Sequence, residues 1–553
     1  MFSGLKSYPT FDAEQYPTYD DLEIPSQYPA NSEPLSRRNG LPYLFLCLSN
    51  IIRVSRRRCA SMTIVILVGV LTVVALTDGL MGPSFSSSSV RLHIEERIQE
   101  QKRMRPIQVP LPISALPVAE VPEAVEHSHP PPPSPPSPPP PPKVMLPEYM
   151  NIDNYLNGPP TIHFRDNLKK NKEYLTSFMG AGFTNDVMTI GNIIYLAMIT
   201  SRVPILPPLT SHIEGGAPPL PFSDIFDLGY LMRATQTPIL EWHQVKELDN
   251  YTVFGETDEI GCWNLWEAVS ASTEPRGSRT TTVLNLDISY TRAPSWMKMS
   301  DQDWNSYASF WDLAKLAFPQ TRSGTLSNPG AHPTRPSERN NVVLPPDEQL
   351  LCYDYLYYAC ASEASEYDWD FSPAWRFVAK HFRWTSRMEN LAHEYVRRAM
   401  SLPEAAPIPP YISLHARHGD FGGMCGGSAL EDCYTPLSAF ARRVDEVREE
   451  LRAKHGIDVA HVIMTSDEKA EEWWSQVAER GWYRVDHGRE NTMERLGTWY
   501  PVIVDAVIQS QGIGFVGTEF STFSSFGRRR VEDWNNGVTR TVKWGWIGAD
   551  ESH

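Results

Sequence analysis

One short cluster in the chain has residue types suited to phosphate chemistry. It comprises His415, Arg417, Gly419 and Asp420, inside the stretch Tyr411-Ile412-Ser413-Leu414-His415-Ala416-Arg417-His418-Gly419-Asp420-Phe421. A guanidinium is a permanent planar cation whose fork of N–H groups matches phosphate or carboxylate oxygens. The cluster follows a brief apolar run, 411–414, which itself follows Pro409 and Pro410. A short apolar run bounded by breakers reads as a buried strand. In open α/β sheets, ligands sit beyond the carboxyl ends of strands, where this cluster would project. A structural Arg–Asp pair at a strand end fits the same local pattern.

Three further peptides invite chemistry. The run Phe515-Val516-Gly517-Thr518 leads through Glu519 and Phe520 to Ser521-Thr522-Phe523-Ser524. It reads as a strand-to-helix turn, and a helix N-terminus with added hydroxyl donors can hold a pyrophosphate. A plain Ser/Thr helix cap reads the same way. Asp467 ends the apolar run Val462-Ile463-Met464-Thr465-Ser466. A carboxylate there can accept from ribose hydroxyls or base N–H groups, or cap the helix that follows. Gly182-Phe183-Thr184-Asn185 opens a helical run, and Asn185 is also a candidate cap. Asp368-Trp369-Asp370 is a D-x-D, able to hold a divalent cation through carboxylates. Asn250-Tyr251-Thr252 is a glycosylation sequon.

In their order along the chain, the H-x-R-x-G-D stretch, the 462–467 run and the 515–524 run resemble the three peptide motifs of GDP-fucose-dependent protein O-fucosyltransferases. The related α1,6-fucosyltransferases share them. The resemblance covers the last third of the chain, with a further match at Gly182-Phe183-Thr184-Asn185. It implies an α/β, GT-B-like fold of two Rossmann-like domains, in a membrane-anchored member of fungal type. The activity it implies is metal-independent, inverting transfer of fucose from GDP-fucose to a hydroxyl of a protein or glycan acceptor, with no cofactor. It places Arg417 on the β-phosphate, where it stabilises the departing GDP, with His415 in the same motif. Ser521 and Thr522 fall on the phosphates, Phe523 near the guanine and Asp467 on the nucleoside. Gly182 and Asn185 face the donor sugar, and Asp420 orients Arg417 or its loop. Two departures stand out. His418 occupies a position where many relatives have a second arginine. Ala181 stands where some relatives have a glutamate base, so no general base carries over. The alternatives are a nucleotide-sugar-binding protein without turnover and a metal-dependent transferase using Asp368 and Asp370.

Bulk properties narrow the field. The 553 residues leave room for two or three domains. A net charge of −16 argues against nucleic acid as a partner. The seven cysteines form no C-x-x-C pair and no zinc spacing. Sequence-local pairing would join Cys425 to Cys433 and Cys352 to Cys360.

The elements that must position the chemistry begin well into the chain. Residues 1–52 are rich in Pro, Tyr, Ser and acids and read as a disordered tail. Arg53, Arg56, Arg57 and Arg58 precede an uncharged apolar run, 59–77. As a helix that run spans ~28 Å, close to the hydrocarbon thickness. The basic cluster puts the tail in the cytosol and the bulk of the chain across the membrane. The expectation is a single-pass type II protein of the secretory pathway, in the Golgi or endoplasmic reticulum, with Asn250 a usable glycosylation site. Residues 82–145 read as a stem stiffened by the proline tract at 130–142. An N-terminal Rossmann-like domain is expected over 146–405, with a mobile insertion at 318–346, and a GDP-sugar-binding one over 406–553. Strands are expected at 174–178 and 203–206 around a helix at 185–200, and one long helix over 372–400. Past 406, strands at 411–414, 461–465, 483–485 and 514–516 alternate with helices at 437–454, 468–480, 500–509 and from 521. Such alternation implies a parallel sheet covered on both faces.

Overall fold

The computed structural model describes residues 147–212, 217–248, 257–270, 272–299, 306–364 and 366–551. The expected tail, membrane helix and stem, and the sequon at Asn250, lie outside the described residues. Among the described residues no helix is long and apolar enough to cross a membrane.

Two parallel sheets dominate. The first has strands β1 (Tyr174–Ser177), β2 (Val203–Leu206), β3 (Leu240–Glu241), β4 (Asp258–Asn264), β5 (Leu286–Arg292) and β7 (Leu350–Tyr353), in the order β3-β2-β1-β7-β4-β5. A separate pair joins β6 (Ala308–Ser309) to β8 (Ala359–Cys360). The second sheet has β9 (Tyr411–Ala416), β10 (His461–Ser466), β11 (Tyr483–Arg484), β12 (Gly514–Thr518) and β13 (Val538–Val542), in the order β11-β10-β9-β12-β13. Both are parallel α/β sheets whose strand order reverses beside their first strand. In such sheets ligands bind at that reversal, beyond the carboxyl ends. In the second sheet the reversal falls between β9 and β12.

Six helices matter here: α1 (Phe183–Thr200), α2 (Ser386–Ala399), α3 (Leu437–His455), α4 (Glu471–Glu479), α5 (Tyr500–Gln511) and α6 (Thr522–Asn535). Strand β9 is buried along its whole length because helices cover both its faces. Ile412 and Leu414 share a core with Phe440, Val444, Val447 and Leu451 of α3. On the other face, the Tyr411 hydroxyl donates to the Ile508 carbonyl and the Ser413 hydroxyl to that of Gln509, both on α5. Helix α1 is apolar nearly all round, so it is buried rather than amphipathic. Its Ile190, Ile193 and Ile194 belong to the core that also holds Val504 and Val507 of α5 and Phe526 of α6. The two sheets therefore share apolar packing.

The chain departs from the sequence expectation at several points. The single helix expected over 372–400 is interrupted. Helix Pro373–Phe377 is followed by a 3-10 turn, Ala379–His381, and α2 starts only at Ser386, capped by Thr385. Phe382 and Trp384 lie in the break because they fill an aromatic cluster with Phe222 and Phe226. Phe377, at the end of the first of these helices, is 51% exposed. Cys352 pairs with Cys262 rather than Cys360, because β7 and β4 are adjacent strands and bring the two Cα atoms to 4.7 Å. Cys425 pairs with Cys433, and Cys360 is buried and unbridged. The 318–346 segment carries helix Pro319–Leu326 and then follows β5, where the Ser337 hydroxyl donates to Asp287.

Candidate functional site

The site is built at the reversal between β9 and β12. Just past β9, the amide of Arg417 donates to Thr518 Oγ1 at 3.0 Å. That hydroxyl donates in turn to the carbonyl of His415, also at 3.0 Å. Thr518 thus fastens the ends of the two strands together. Gly517, one residue earlier, lets α6 approach β12: a Cβ there would lie 2.7 Å from that of Ser524. The chain then turns through Phe520, in the left-handed region at φ +61°. Ser521 caps α6 by accepting from the amide of Ser524. The first amides of such a helix have no intrahelical acceptors, so they and the positive end of the dipole face the strand ends.

His415 is buried and its Nδ1 lies 2.8 Å from Ser524 Oγ. Ser524 Oγ also accepts from the amide of Thr518 at 3.0 Å. Burial, then Arg417 and His418, hold the His415 pKa down at about 3. Phe523 sits against this ring at 4.9 Å.

Arg417 is bracketed by two carboxylates. Asp420 Oδ1 accepts from Nε at 2.9 Å and lies 2.8 Å from the second guanidinium nitrogen. Asp467 Oδ2 lies 2.9 Å from the third. Asp467 Oδ1 accepts from the amide of His418 at 2.8 Å. Both oxygens of Asp467 thus act on the Arg417 loop, and Asp467 caps no helix. The expectation placed it on the nucleoside; here its two oxygens contact the Arg417 guanidinium and the His418 amide, and Asp420 contacts the same guanidinium. Helix α4 begins at Glu471, later than the expected 468, because Glu468 Oε1 accepts from the amides of Lys469 and Ala470. Gly419 is required here: φ is +27°, and a Cβ would fall 2.4 Å from Asp467 Oδ2.

His418 does not take the place of a second arginine. It is buried, its Nδ1 lies 2.7 Å from Glu468, and its ring stacks on Tyr434 at 4.2 Å. Burial works to raise the Glu468 pKa, but the Ala470 amide, His418 and the Lys469 amide outweigh it and hold it below its ordinary value.

The N-terminal half reaches this site through α1. Thr522 Oγ1 donates to Asn185 Oδ1 at 2.7 Å, and Thr184 Oγ1 lies 2.7 Å from the same hydroxyl. Asn185 is therefore a bridging residue rather than a cap; the cap position belongs to Gly182. The Gly180–Gly182 turn is held by Asp186, a residue that no motif or charge pattern singles out. Asp186 accepts from the amides of Gly180 and Ala181, each at 3.2 Å, and from the Ser211 hydroxyl at 2.7 Å. Arg276 clamps the same turn, donating to the carbonyl of Gly180 at 2.7 Å. Burial pushes Asp186 up to about 7 despite Ser211, the two amides and Arg276.

The D-x-D carboxylates are engaged elsewhere. The Asp368 carboxylate accepts from Ser525 and, at 3.3 Å, from Arg528 of α6, and Asp370 pairs with Arg376. Among the described residues no group of three His, Cys, Asp or Glu side chains is arranged to hold a metal ion.

No family model matches the chain, and no curated protein matches it. Among solved structures it is similar to POFUT1 in complex with GDP-fucose, at 14% identity over 68% of this chain and 99% of that one, with a TM-score of 0.42. It is also similar to the fucosyltransferase NodZ from Bradyrhizobium, at 12% identity over 65% of this chain and 93% of that one, with a TM-score of 0.32.

The buried state of Asp186 has a measurable consequence. Its carboxyl holds a proton up to about 7 when folded, against 3.8 for the free group. Between those values the folded state binds more protons, so this group makes stability fall as pH rises from about 4 to about 7. Asp186→Asn keeps the oxygen that accepts both amides and turns an N–H₂ toward Ser211. Thermal melts from pH 4 to 8 are expected to decline less steeply for the variant. Identical slopes would rule out this account of Asp186.

Proposed function

We propose that the chain is a glycosyltransferase whose cleft between β9 and β12 holds a nucleoside diphosphate sugar, GDP-fucose by the resemblance of its motifs. The observation that carries this reading is the convergence of Arg417 with the first turn of α6 at the sheet reversal. A permanent cation beside the N-terminus of a helix suits a pyrophosphate. In a GT-B-like enzyme the N-terminal half would supply the acceptor side, and Thr184 and Asn185 already meet Thr522 across the boundary.

The reaction is a single displacement with inversion. An acceptor hydroxyl oxygen attacks the sugar carbon as the bond to the β-phosphate oxygen breaks; GDP leaves with the electron pair, and the hydroxyl proton passes to solvent. Arg417 stabilises the charge that develops on that oxygen, held in place beforehand by Asp467 and Asp420. This supplies the electrostatic stabilisation without a metal ion. Asp186 is a poor base, since it is buried with Oδ1 accepting from the Gly180 and Ala181 amides and Oδ2 from the Ser211 hydroxyl.

We further propose an oxidising setting for the domain, which its two disulfides suit. The apolar run at 59–77 would anchor it as a type II protein of the secretory pathway. The test of the activity is release of GDP from GDP-fucose by the full chain, with EDTA present and beside calorimetric binding of GDP. Binding with slow donor hydrolysis supports the reading. Absence of GDP binding to folded protein sinks it, and activity abolished by EDTA removes the metal-free mechanism.

A further inference from the structure

Helices α1 and α6 both start at the site and run away from it. Arg529 lies about 10 Å along α6 from Thr522, and Met198 about 20 Å along α1 from Asn185, at 1.5 Å per residue. Between these distant turns opens a cavity of about 750 Å³. Four permanent cations line it, Arg376, Lys380, Arg383 and Arg529, against two carboxylates, Asp370 and Asp533.

Both carboxylates are already engaged. Asp370 accepts from Arg376, and Asp533 from the indole of Trp375. Arg529 pairs with Glu532 at 2.9 Å and lies 3.9 Å from Asp533. Lys380 and Arg383 form no ion pair among the described residues; Arg383 lies over the ring of Trp534 at 4.3 Å. Behind Arg383 stands another uncompensated cation. Arg530 is 2% exposed, and its guanidinium carbon lies 4.4 Å from the ring of Trp384 and 4.9 Å from that of Phe526. Its Nε has no hydrogen-bond partner. Burial, then Arg383, pull Arg530 down to about 9, and His381 is lowered by burial, then by Lys380 and Arg383. Concentrated uncompensated positive charge is unexpected in a chain of net charge −16. Uncompensated cations at the wall of a cavity are stabilised by a bound anion. Trp375 and the exposed Phe377 give the same cavity an aromatic wall.

We propose that this cavity is a second anion site, separate from Arg417, that takes a phosphate group, either free or carried on a small ester. Lys380 and Arg383 supply the direct contacts, and the field of Arg530 adds to theirs. The proposal does not depend on the transferase reading.

The test uses the full chain carrying Arg417→Ala, which removes the first phosphate site. Calorimetric titration with inorganic phosphate and with phenyl phosphate is expected to show binding in this background. Lys380→Gln with Arg383→Gln is expected to weaken it at least about 10-fold, the loss of two charge-assisted bonds. Should Arg383→Gln fail to fold, Lys380→Gln alone is expected to weaken binding about 3- to 10-fold, and Lys380→Arg to restore it. Tighter binding of phenyl phosphate identifies an ester seated on the aromatic wall; equal or weaker binding identifies free phosphate. No binding to the Arg417→Ala protein, or binding indifferent to Lys380→Gln, overturns the proposal.

Discussion

Arg417→Ala is expected to remove calorimetrically detectable GDP binding and to lower kcat/KM for GDP-fucose about 100- to 1,000-fold. That is the usual cost of deleting one donor aimed at a developing oxyanion. The fold should survive, because the Arg417 side chain is 33% exposed and its Asp420 partner 70% exposed. Exposed ion pairs contribute little, about 0–1 kcal/mol. Arg417→Lys should recover only part of the activity. A point charge cannot span Asp420, Asp467 and a phosphate as the planar fork does. The neighbours separate two explanations of a loss. Asp420→Asn removes one competing carboxylate and should leave GDP affinity within about threefold, the scale of an exposed pair. Asp467→Ala frees both the guanidinium and the amide of His418, and should weaken GDP more. An Arg417→Ala protein that melts normally and turns over GDP-fucose at the wild-type rate would rule out the proposed phosphate site.

The parts of this site that could be read in the chain are those in which local pattern and topology coincide. Strands β9, β10 and β12 are short apolar runs that end in polar residues. Parallel order then brings those ends together without further information. Arg417 therefore meets Asp467 and Thr518, and His415 meets Ser524 in the first turn of α6. The contacts of Asp467 could not be read, since a carboxylate after a strand serves equally as a cap, a ligand or an orienting group. Asp186 gave no signal because its partners are amides and a hydroxyl, with no charge pattern. The bridge from Asn185 to Thr522 joins residues far apart in the chain and depends on how α1 and α6 pack. Sequence proximity misled most at Cys352, whose neighbour across the sheet is Cys262, not the nearby Cys360. Periodicity misled at 372–400, where aromatic packing of Phe382 and Trp384 interrupts a helical pattern.

Removing each disulfide should separate the stability of the fold from the integrity of the site. Cys262 and Cys352 are fully buried and close a loop of 90 residues. The chain-entropy relation for that loop gives a stabilisation of about 4–5 kcal/mol. Cys425 and Cys433 are only 8 residues apart, and the same relation gives about 2–3 kcal/mol. The smaller loop, however, leads directly into the proposed nucleotide site. Tyr434, next to Cys433, stacks on His418, and the carbonyl of Cys433 accepts from the amide of Gly545 at 2.8 Å. Cys262→Ala with Cys352→Ala should therefore lower the denaturant midpoint more, yet leave GDP affinity near wild type in the protein that remains folded. Cys425→Ala with Cys433→Ala should lower the midpoint less and weaken GDP about 10-fold, because the His418 stack that fixes the Arg417 loop loses its backing. Chemical denaturation and calorimetry on both pairs decide the matter. Equal midpoints would refute the loop-length account. Unchanged GDP binding after loss of the 425–433 bridge would show that the Arg417 loop is held without the His418 stack.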